Sequence, residues 1–454
     1  MIDFLAMAPA FVLGWIVVRL LAPLGWFLEI PLGLGLGAGI SSVIFFFLTW
    51  ARVASRVAVL SCEAVLLAAA GLLLFRSKRS KDGVPGRAQP GWIWALRVGA
   101  VVALAFVAAD FSQSLTANPD GGYDAAAIWN IRARYLAGGA PSWHYGVSDK
   151  TGTNHPGYPL LTSGFIARTW ILLGELPSST PAIVSAVFAL ATIALLCASV
   201  WKVAGEALGL LAMLVLLATE GFVSQASVQY ADVPLSFYVL ASVALLAIAA
   251  GKEWPPGIVT LAGIFAGCAA WTKNEGLPFV AFVFLIALWR GGFRSAGWLA
   301  SGAAPMLIVT LAFKALLVDG KEIMFPATAG QAIHMIADVS RWSEIIPSFA
   351  RNFWELGFPW AHPFLLMAVV AWAFGFAADA RSRLWLFIAP VGMLAADFAI
   401  YLITMSGLTW HLGTSNNRVI VQVWPALLLG FFLALRAPAV QEMDTRQRKS
   451  KSKT

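Results

Sequence analysis

Two aspartates, Asp120 and Asp124, lie in the segment NPDGGYDAAAIWNIRARY (118–135), directly after an apolar run. On a helix, residues four positions apart share a face, so the two carboxylates could bind a divalent cation together. They could also divide into a proton-accepting base and a metal or substrate ligand. The structural alternative is a turn at PDGG followed by a helix that Asp124 caps. The segment leaves both interpretations open.

Other ionisable residues lie at the ends of later apolar runs. They are His155 in GTNHPGYPLL, Asp232 in YADVPLSFY, Lys273 and Glu275 in WTKNEGLPF, and His411 and Arg418 in WHLGTSNNR. Cationic side chains at such places can bind phosphate, and carboxylates can accept protons or hydrogen bonds. Structural alternatives exist here too. Asp232 could cap a helix, and Arg418 could anchor one at the membrane surface. Lys273 and Glu275 could reach the membrane surface by snorkelling.

The composition indicates that these residues belong to a membrane protein. The 454 residues are 59% hydrophobic and 12% charged, with a mean hydropathy of +0.78. Soluble domains are about half apolar and about a quarter charged. The net charge of +8 could suit nucleic acid, but basic residues cluster at 76–87 and 446–453, beside apolar runs. Positive charge there is typical of a cytoplasmic membrane face. We therefore predict membrane lipids, and no nucleic acid, as partners.

Apolar runs of membrane-spanning length predict an all-α polytopic membrane protein with about thirteen transmembrane helices. The predicted spans are 4–24, 29–50, 56–75, 91–110, 181–202, 204–222, 235–251, 257–272, 276–290, 297–318, 361–379, 384–404 and 418–437. Short basic loops favour the cytoplasm, which puts the N-terminus outside and the C-terminus inside. We expect a multi-pass protein of a bacterial inner (plasma) membrane, with small loop helices on the outer face.

The segment YPLLTSGFIARTWILLGEL (158–176) decides the topology. It is apolar enough to be taken for a span, but Arg168 lies in its middle. A crossing here would also move every later basic loop to the outside, against the positive-inside trend. We predict a juxtamembrane or re-entrant helix on the outer face. All five histidines and the acidic residues Asp120, Asp124, Asp232 and Glu275 then lie outside, as an enzyme of the outer leaflet would require.

In this order, DGGYDAAAIWNIRARY, HPGYPLL, YADVPLSFY, TKNEG and WHLGTSNNR resemble the GT-C superfamily of membrane glycosyltransferases. That superfamily includes protein O-mannosyltransferases, aminoarabinose transferases and RgtA/B/C/D-like bacterial enzymes. The resemblance covers residues 91–437, as a catalytic module with outer loops 111–180, 221–234, 319–360 and 405–417. Three added helices (1–75) and a basic cytoplasmic loop (76–90) would precede the module, and a basic cytoplasmic tail (438–454) would follow it.

The resemblance implies inverting transfer of a hexose or pentose from a polyprenyl-phosphate donor to a glycolipid, glycan or protein acceptor, with a carboxylate base. It implies a catalytic role for Asp124 and Asp120, which are also the candidate ligands of a divalent cation, Mg²⁺ or Mn²⁺. The acids of the family often lie closer together in sequence than Asp120 and Asp124 do. This departure from the family pattern concerns the implied metal dependence. The implied substrate-binding residues are Asp232, Lys273, Glu275, His155, His411 and Arg418, of which Lys273, His411 and Arg418 would hold the carrier phosphate.

A transporter or flippase for a lipid-linked or anionic substrate is the alternative from another class. It would place ionisable residues within spans, where Lys314 and Asp397 are the candidates. Neither a P-loop nor a zinc-cysteine motif occurs in the sequence, and GLGLGAG (33–39) lies in an apolar run. We interpret those glycines as points of close helix packing. The three cysteines lie in apolar runs and are expected to be small buried hydrophobic residues.

Overall fold

The computed structural model describes residues 2–76, 91–139, 142–148, 155–319, 325–358 and 361–437. The predicted cytoplasmic tail, and all of the predicted basic loop except Arg76, lie outside the described residues. Within them the backbone is helical, and extended pairing is limited to isolated bridges. The all-α prediction is therefore confirmed.

Seventeen α-helices are present among the described residues. They are α1 (Ile2–Leu21), α2 (Trp26–Trp50), α3 (Arg56–Arg76), α4 (Trp92–Ala117), α5 (Asn130–Ala137), α6 (Leu161–Leu173), α7 (Ser179–Ala204), α8 (Glu206–Leu217), α9 (Glu220–Ser227), α10 (Asp232–Ala250), α11 (Pro256–Thr272), α12 (Gly276–Leu316), α13 (Ala329–Ala337), α14 (Val339–Trp354), α15 (Pro363–Phe374), α16 (Ile388–Ile403) and α17 (Leu408–Ala434). A π-helical turn (Ala125–Trp129) precedes α5, and 3₁₀ turns occupy Ser142–Val147 and Ala380–Phe387.

Among the described residues, nine helices are long and apolar enough to cross a membrane, or ten if the bent pair α8–α9 forms one span. The chain is thus a polytopic helical membrane protein. Every predicted span coincides with helical structure, and Gly292, with φ 73°, divides α12 between two of them. However, α15 has 12 residues, or about 18 Å of helix against a hydrocarbon core of about 30 Å. The count of thirteen therefore stays a prediction.

Helix α6 occupies the segment that was predicted not to cross. Its 13 residues correspond to about 20 Å, which is shorter than the hydrocarbon core. The helix is buried, and its Arg168 forms an ion pair with Glu63 of α3 in which both side chains are enclosed. Ser41 of α2 donates a hydrogen bond of 2.7 Å to the same carboxylate. The arginine that interrupts the apolar run therefore joins α6 to the N-terminal helices.

The glycines of GLGLGAG allow close helix packing, as the sequence predicts. A Cβ on Gly37 would lie 2.1 Å from the carbonyl oxygen of Ala10 in α1. A Cβ on Gly35 would lie 2.0 Å from the ring of Phe237 in α10. Since neither position has room for a side chain, α2 packs directly against both α1 and α10. The N-terminal helices therefore pack against the same helical core that carries the polar residues.

The orientation of α6 can be tested by cysteine labelling in a cysteine-free background. Glu175, after α6, and Arg294, after the kink in α12, are both exposed. If α6 does not cross the bilayer, as the sequence predicts, a membrane-impermeant maleimide will label Glu175→Cys in intact cells and Arg294→Cys only after permeabilisation. The reverse pattern would show that it does.

Candidate active site

Five side chains from four separate segments of the sequence form one row of alternating charges. We call this row, Asp124–Arg418–Asp232–Lys273–Glu275, the ion chain. Nη1 of Arg418 lies 2.5 Å from Oδ2 of Asp124, and its Nη2 lies 3.1 Å from Oδ2 of Asp232. Nζ of Lys273 lies 2.9 Å from Oδ1 of Asp232 and 2.9 Å from Oε1 of Glu275. Loops far apart in the sequence therefore meet at one site.

Asp232 lies at the centre of the ion chain and holds both cations. Besides Lys273 and Arg418, Gln422 donates a hydrogen bond of 2.6 Å from Nε2 to Oδ1 of Asp232. Sequence reasoning missed Gln422, although its position four residues after Arg418 puts the two on one face of α17. A carboxylate so enclosed remains ionised only because cations and donors replace its water.

The two ends of the ion chain are more open than its middle. The side chains of Asp232 and Lys273 are 0% and 3% exposed. Those of Arg418 and Asp124 are 12% and 21% exposed, and that of Glu275 is 13% exposed. A ligand approaching from outside would therefore meet the Asp124–Arg418 end, the most open pair, without displacing the central contacts.

Neither capping alternative describes these aspartates. Asp124 precedes the π-helical turn, but its side chain makes no capping hydrogen bond and pairs with Arg418. Ala231 occupies the N-cap position of α10, and the carboxylate of Asp232, in the first turn, points to the two cations. Lys273 is 2% exposed and so does not snorkel to the surface. Arg418 likewise binds carboxylates instead of serving as a simple interfacial anchor.

The loop that carries Asp124 is held by the segment before α10. The backbone N–H of Gly122 donates to the carbonyl oxygen of Val228 at 2.9 Å, and that of Asp124 donates to the hydroxyl of Tyr230 at 3.2 Å. A Cβ on Gly122 would lie 2.5 Å from that hydroxyl. Glycine is thus required there for Tyr230 to reach the backbone of Asp124.

An amide pair completes the attachment between the two loops. Nδ2 of Asn130 donates to Oε1 of Gln229 at 3.0 Å, and Nε2 of Gln229 donates to the carbonyl oxygen of Pro119 at 3.0 Å. Tyr230 begins the YADVPLSFY motif and Asn130 lies in the Asp124 segment, but nothing in the sequence predicts that Tyr230 and Gln229 contact the Asp124 loop. They were missed because their partners are about 100 residues away in the chain.

Asp120 does not join the ion chain. It lies in the turn that the PDGG sequence predicts, where the N–H of Gly121 donates to the carbonyl oxygen of Asn118 at 3.0 Å and Gly121 has φ 80°. Its side chain is 69% exposed and lies 4.0 Å from Nη2 of Arg134. Because Asp120 precedes the helix, the shared helical face expected for it and Asp124 does not form. The turn interpretation is confirmed.

The two candidate histidines lie at the rim of the site. His155 has φ 57°, and its ring lies 4.9 Å from that of Tyr158, between ring centroids. Nζ of Lys273 lies 5.7 Å from the Tyr158 ring centroid, within cation–π range. His411 contacts Thr404, with 3.1 Å between Nδ1 and Oγ1. Both histidines therefore adjoin the ion chain at its rim.

The protonation of Lys273 follows from its partners. Burial alone would lower the pKa of this lysine, but the carboxylates of Asp232 and Glu275 outweigh burial and hold the pKa above its ordinary value. The lysine stays a cation at neutral pH. Burial also raises the pKa of the Tyr230 phenol. Tyr230 therefore stays neutral and can accept the hydrogen bond from the backbone of Asp124.

Asp397 of α16 is a further buried acid near the ion chain, within electrostatic range of Glu275 and Lys273. Its Oδ2, like Oε2 of Glu275, is buried with no hydrogen-bond partner among the described residues. The sequence marks Asp397 only as a charge within a span. Its nearness to the site depends on how α16 packs against α12.

A divalent cation was also expected between Asp120 and Asp124. Among the described residues no group of three or more His, Cys, Asp or Glu side chains could hold a metal ion. Asp124 faces a guanidinium, whose positive charge opposes cation binding, and Asp120 points elsewhere. These two residues do not fit the expected metal site.

Comparisons with protein-family models, with curated proteins and with solved structures found no match. The fold and the site define the class of protein by themselves: a helical polytopic membrane protein with a buried ion chain.

We expect Asp232→Asn to destabilise the protein, because Lys273 and Arg418 would share an enclosure without a carboxylate between them. Removing one partner of a buried ion pair costs about 3–5 kcal/mol. The midpoint of thermal unfolding in detergent measures the effect, with Asp120→Asn, at the exposed acid, as the matched control. Equal midpoints for the two variants would contradict the central role of Asp232.

Proposed function

We propose that this chain is an integral membrane glycosyltransferase. It would move a sugar from a polyprenyl-phosphate donor to a glycolipid, glycan or protein acceptor at the outer leaflet of a bacterial inner membrane, with inversion at the anomeric carbon. The observation that carries the proposal is the Asp124–Arg418 pair, a carboxylate and a guanidinium in contact at the open end of the ion chain. About thirteen spans, with an outward-facing site, belong to the same proposal.

Arg418 has the chemistry to bind the donor phosphate. A guanidinium binds phosphate oxygens through parallel N–H donors, and its charge stabilises the leaving phosphate as the glycosidic bond breaks. In the structure its Nη1 contacts Asp124, while Nη2 contacts Asp232. A donor phosphate that takes the place of Asp124 at Nη1 would leave the contact with Asp232 intact. Donor binding would thereby free the Asp124 carboxylate.

The freed carboxylate would act as the base. The acceptor oxygen attacks the anomeric carbon and transfers its proton to Asp124, while the bond from that carbon to the phosphate oxygen breaks. The electron pair of that bond leaves with the polyprenyl phosphate. Attack from the face opposite the leaving group inverts the anomeric configuration. A base in hydrogen-bond reach of the attacking group contributes about 10²- to 10⁴-fold to rate.

The remaining members of the ion chain would be positioning residues. Asp232 and Lys273 are too enclosed to touch a substrate directly, and they hold Arg418 and Glu275 in place. His155 and His411, at the rim, remain candidates for contact with the donor or acceptor. Transfer measured after exhaustive chelation would test the predicted Mg²⁺ or Mn²⁺.

One observation favours the alternative, a transporter or flippase. Asp397 is a buried acid within a candidate span, with one carboxylate oxygen unpartnered among the described residues, as proton-coupled carriers require. A reconstituted protein that moves a fluorescent polyprenyl-phosphate sugar across liposomes, and forms no glycosidic bond, would establish the alternative. New bond formation without net movement of the lipid would exclude it.

We expect Asp124→Asn to lower transfer from polyprenyl-phosphate sugars by about 10²- to 10⁴-fold, because an amide cannot accept the proton. The measurement is product formation by purified protein with several donors, alongside the anomeric configuration of the product. Asp120→Asn is the matched control, since that carboxylate is exposed and outside the ion chain. Undiminished transfer by Asp124→Asn would remove Asp124 from the role of base.

A further inference from the structure

A cavity of about 510 Å³ lies between α13, the start of α14 and the turn that joins α16 to α17. Its lining combines hydrogen-bonding and apolar side chains, among them Gln331, His334, Arg341, Ser406, Met335 and Leu408. Small-molecule sites typically occupy about 300–1,000 Å³. Both walls come from segments that the sequence predicts on the outer face, 319–360 and 405–417.

Arg341 provides the cationic group of this cavity. Its Nη2 donates to the carbonyl oxygens of Tyr401 at 2.8 Å and of Thr404 at 3.1 Å, at the end of α16. Its Nε is buried with no hydrogen-bond partner among the described residues. Guanidinium groups are usually satisfied on several edges, and an unpaired buried donor is unfavourable. Because Nε has almost no solvent-accessible surface, a ligand in the cavity would meet the rest of the guanidinium and its positive charge.

The nearby acids make their hydrogen bonds to other groups, and Asp338 is also within electrostatic range of Arg341 and His334. Asp338, between α13 and α14, accepts hydrogen bonds from the N–H and the hydroxyl of Ser340 at 3.0 and 2.6 Å. Glu344 accepts a hydrogen bond from the hydroxyl of Thr409 at 2.6 Å. Neither acid lines the cavity. The wall of the cavity therefore presents the guanidinium of Arg341 and the imidazole of His334 to a bound ligand.

The cavity is close to the reacting end of the ion chain. Thr404 lines it and also contacts His411 of α17. From Leu408, which lines the cavity, to Arg418 is ten residues along this helix, which corresponds to about 15 Å. A molecule of that length could therefore extend from the cavity to Arg418.

We infer that this cavity binds the acceptor, and that the acceptor is a carbohydrate bearing a carboxylate or phosphate group. That the ligand is the acceptor rests on the proposed function, whereas the chemical class of the ligand rests on the lining of the cavity. Amide, hydroxyl and imidazole groups suit sugar hydroxyls, Met335 and Leu408 suit the apolar face of a sugar ring, and Arg341 suits the anionic group. An acceptor long enough to span the roughly 15 Å from the cavity to Arg418 would place a hydroxyl of a second sugar unit at Asp124. That hydroxyl would lose its proton to Asp124 as its oxygen bonds to the anomeric carbon and the carrier phosphate leaves.

Calorimetric titration of the full-length protein in detergent, without donor, tests the ligand class. The probes are glucuronate and glucose 6-phosphate, with glucose and inorganic phosphate as the neutral and sugar-free comparisons. We expect the two charged sugars to bind roughly tenfold or more tightly than glucose, since a charge-assisted bond contributes about 1.5–3 kcal/mol. Arg341→Gln should abolish this preference. Arg351→Gln, an exposed position on α14 outside the cavity, should retain it.

Because Arg341 also holds the end of α16, two further variants keep the test decisive if Arg341→Gln fails to fold. Arg341→Lys should fold and keep part of the preference for charged sugars. Gln331→Ala should weaken the binding of all three sugars to the same extent. Equal binding of glucose and the charged sugars, or a preference that survives Arg341→Gln, would overturn the inference. Inorganic phosphate binding as tightly as glucose 6-phosphate would also overturn it, because the sugar would then contribute nothing.

The transfer assay separates this inference from the proposed function. If the cavity binds charged sugars as expected but no polyprenyl-phosphate donor is used, the proposed function fails and the ligand class stands. If transfer occurs and acidic sugars neither bind nor accept, the function stands and the inference fails.

Discussion

A carboxylate enclosed in an apolar helix bundle must be matched by cations and hydrogen-bond donors, because the bundle provides no water to solvate it. Asp232 meets this requirement with Lys273, Arg418 and Gln422, which come from α17 and from the junction between α11 and α12. One buried charge thus determines how three helices must be rotated relative to one another. The outer pair, Asp124 and Arg418, is positioned as a consequence.

The loop of Asp124 depends on this centre and on short contacts of its own. Glycine at position 122 lets Tyr230 approach the backbone of Asp124, and an amide pair joins the same two loops. These hydrogen bonds involve no ionised group, so they hold the loop without competing for the guanidinium of Arg418. The base proposed for the reaction is therefore fixed in position while its ionic partner can be exchanged.

The ion chain and the cavity lined by Arg341 are two separate binding surfaces. This separation suits a reaction between a lipid-linked donor and a second substrate. The ion chain ends at a partly exposed carboxylate–guanidinium pair, and a cavity with one arginine, Arg341, lies about three helical turns away along α17. The N-terminal helices support this arrangement from behind: Gly35 of α2 packs against α10, and the buried Arg168–Glu63 pair joins α6 to α3.

The sequence by itself determined the helical class, the approximate positions of the apolar helices and the turn at Asp120, because long apolar runs and local turn residues act over short distances. It also identified four of the segments whose charged residues meet. Only the tertiary structure decided that Asp124 pairs with Arg418, 294 residues away, that Asp120 stays apart, and that Gln422 joins the centre. Those outcomes depend on the rotation of packed helices and on loop-to-loop hydrogen bonds. Residue spacing along one segment contains no information about either.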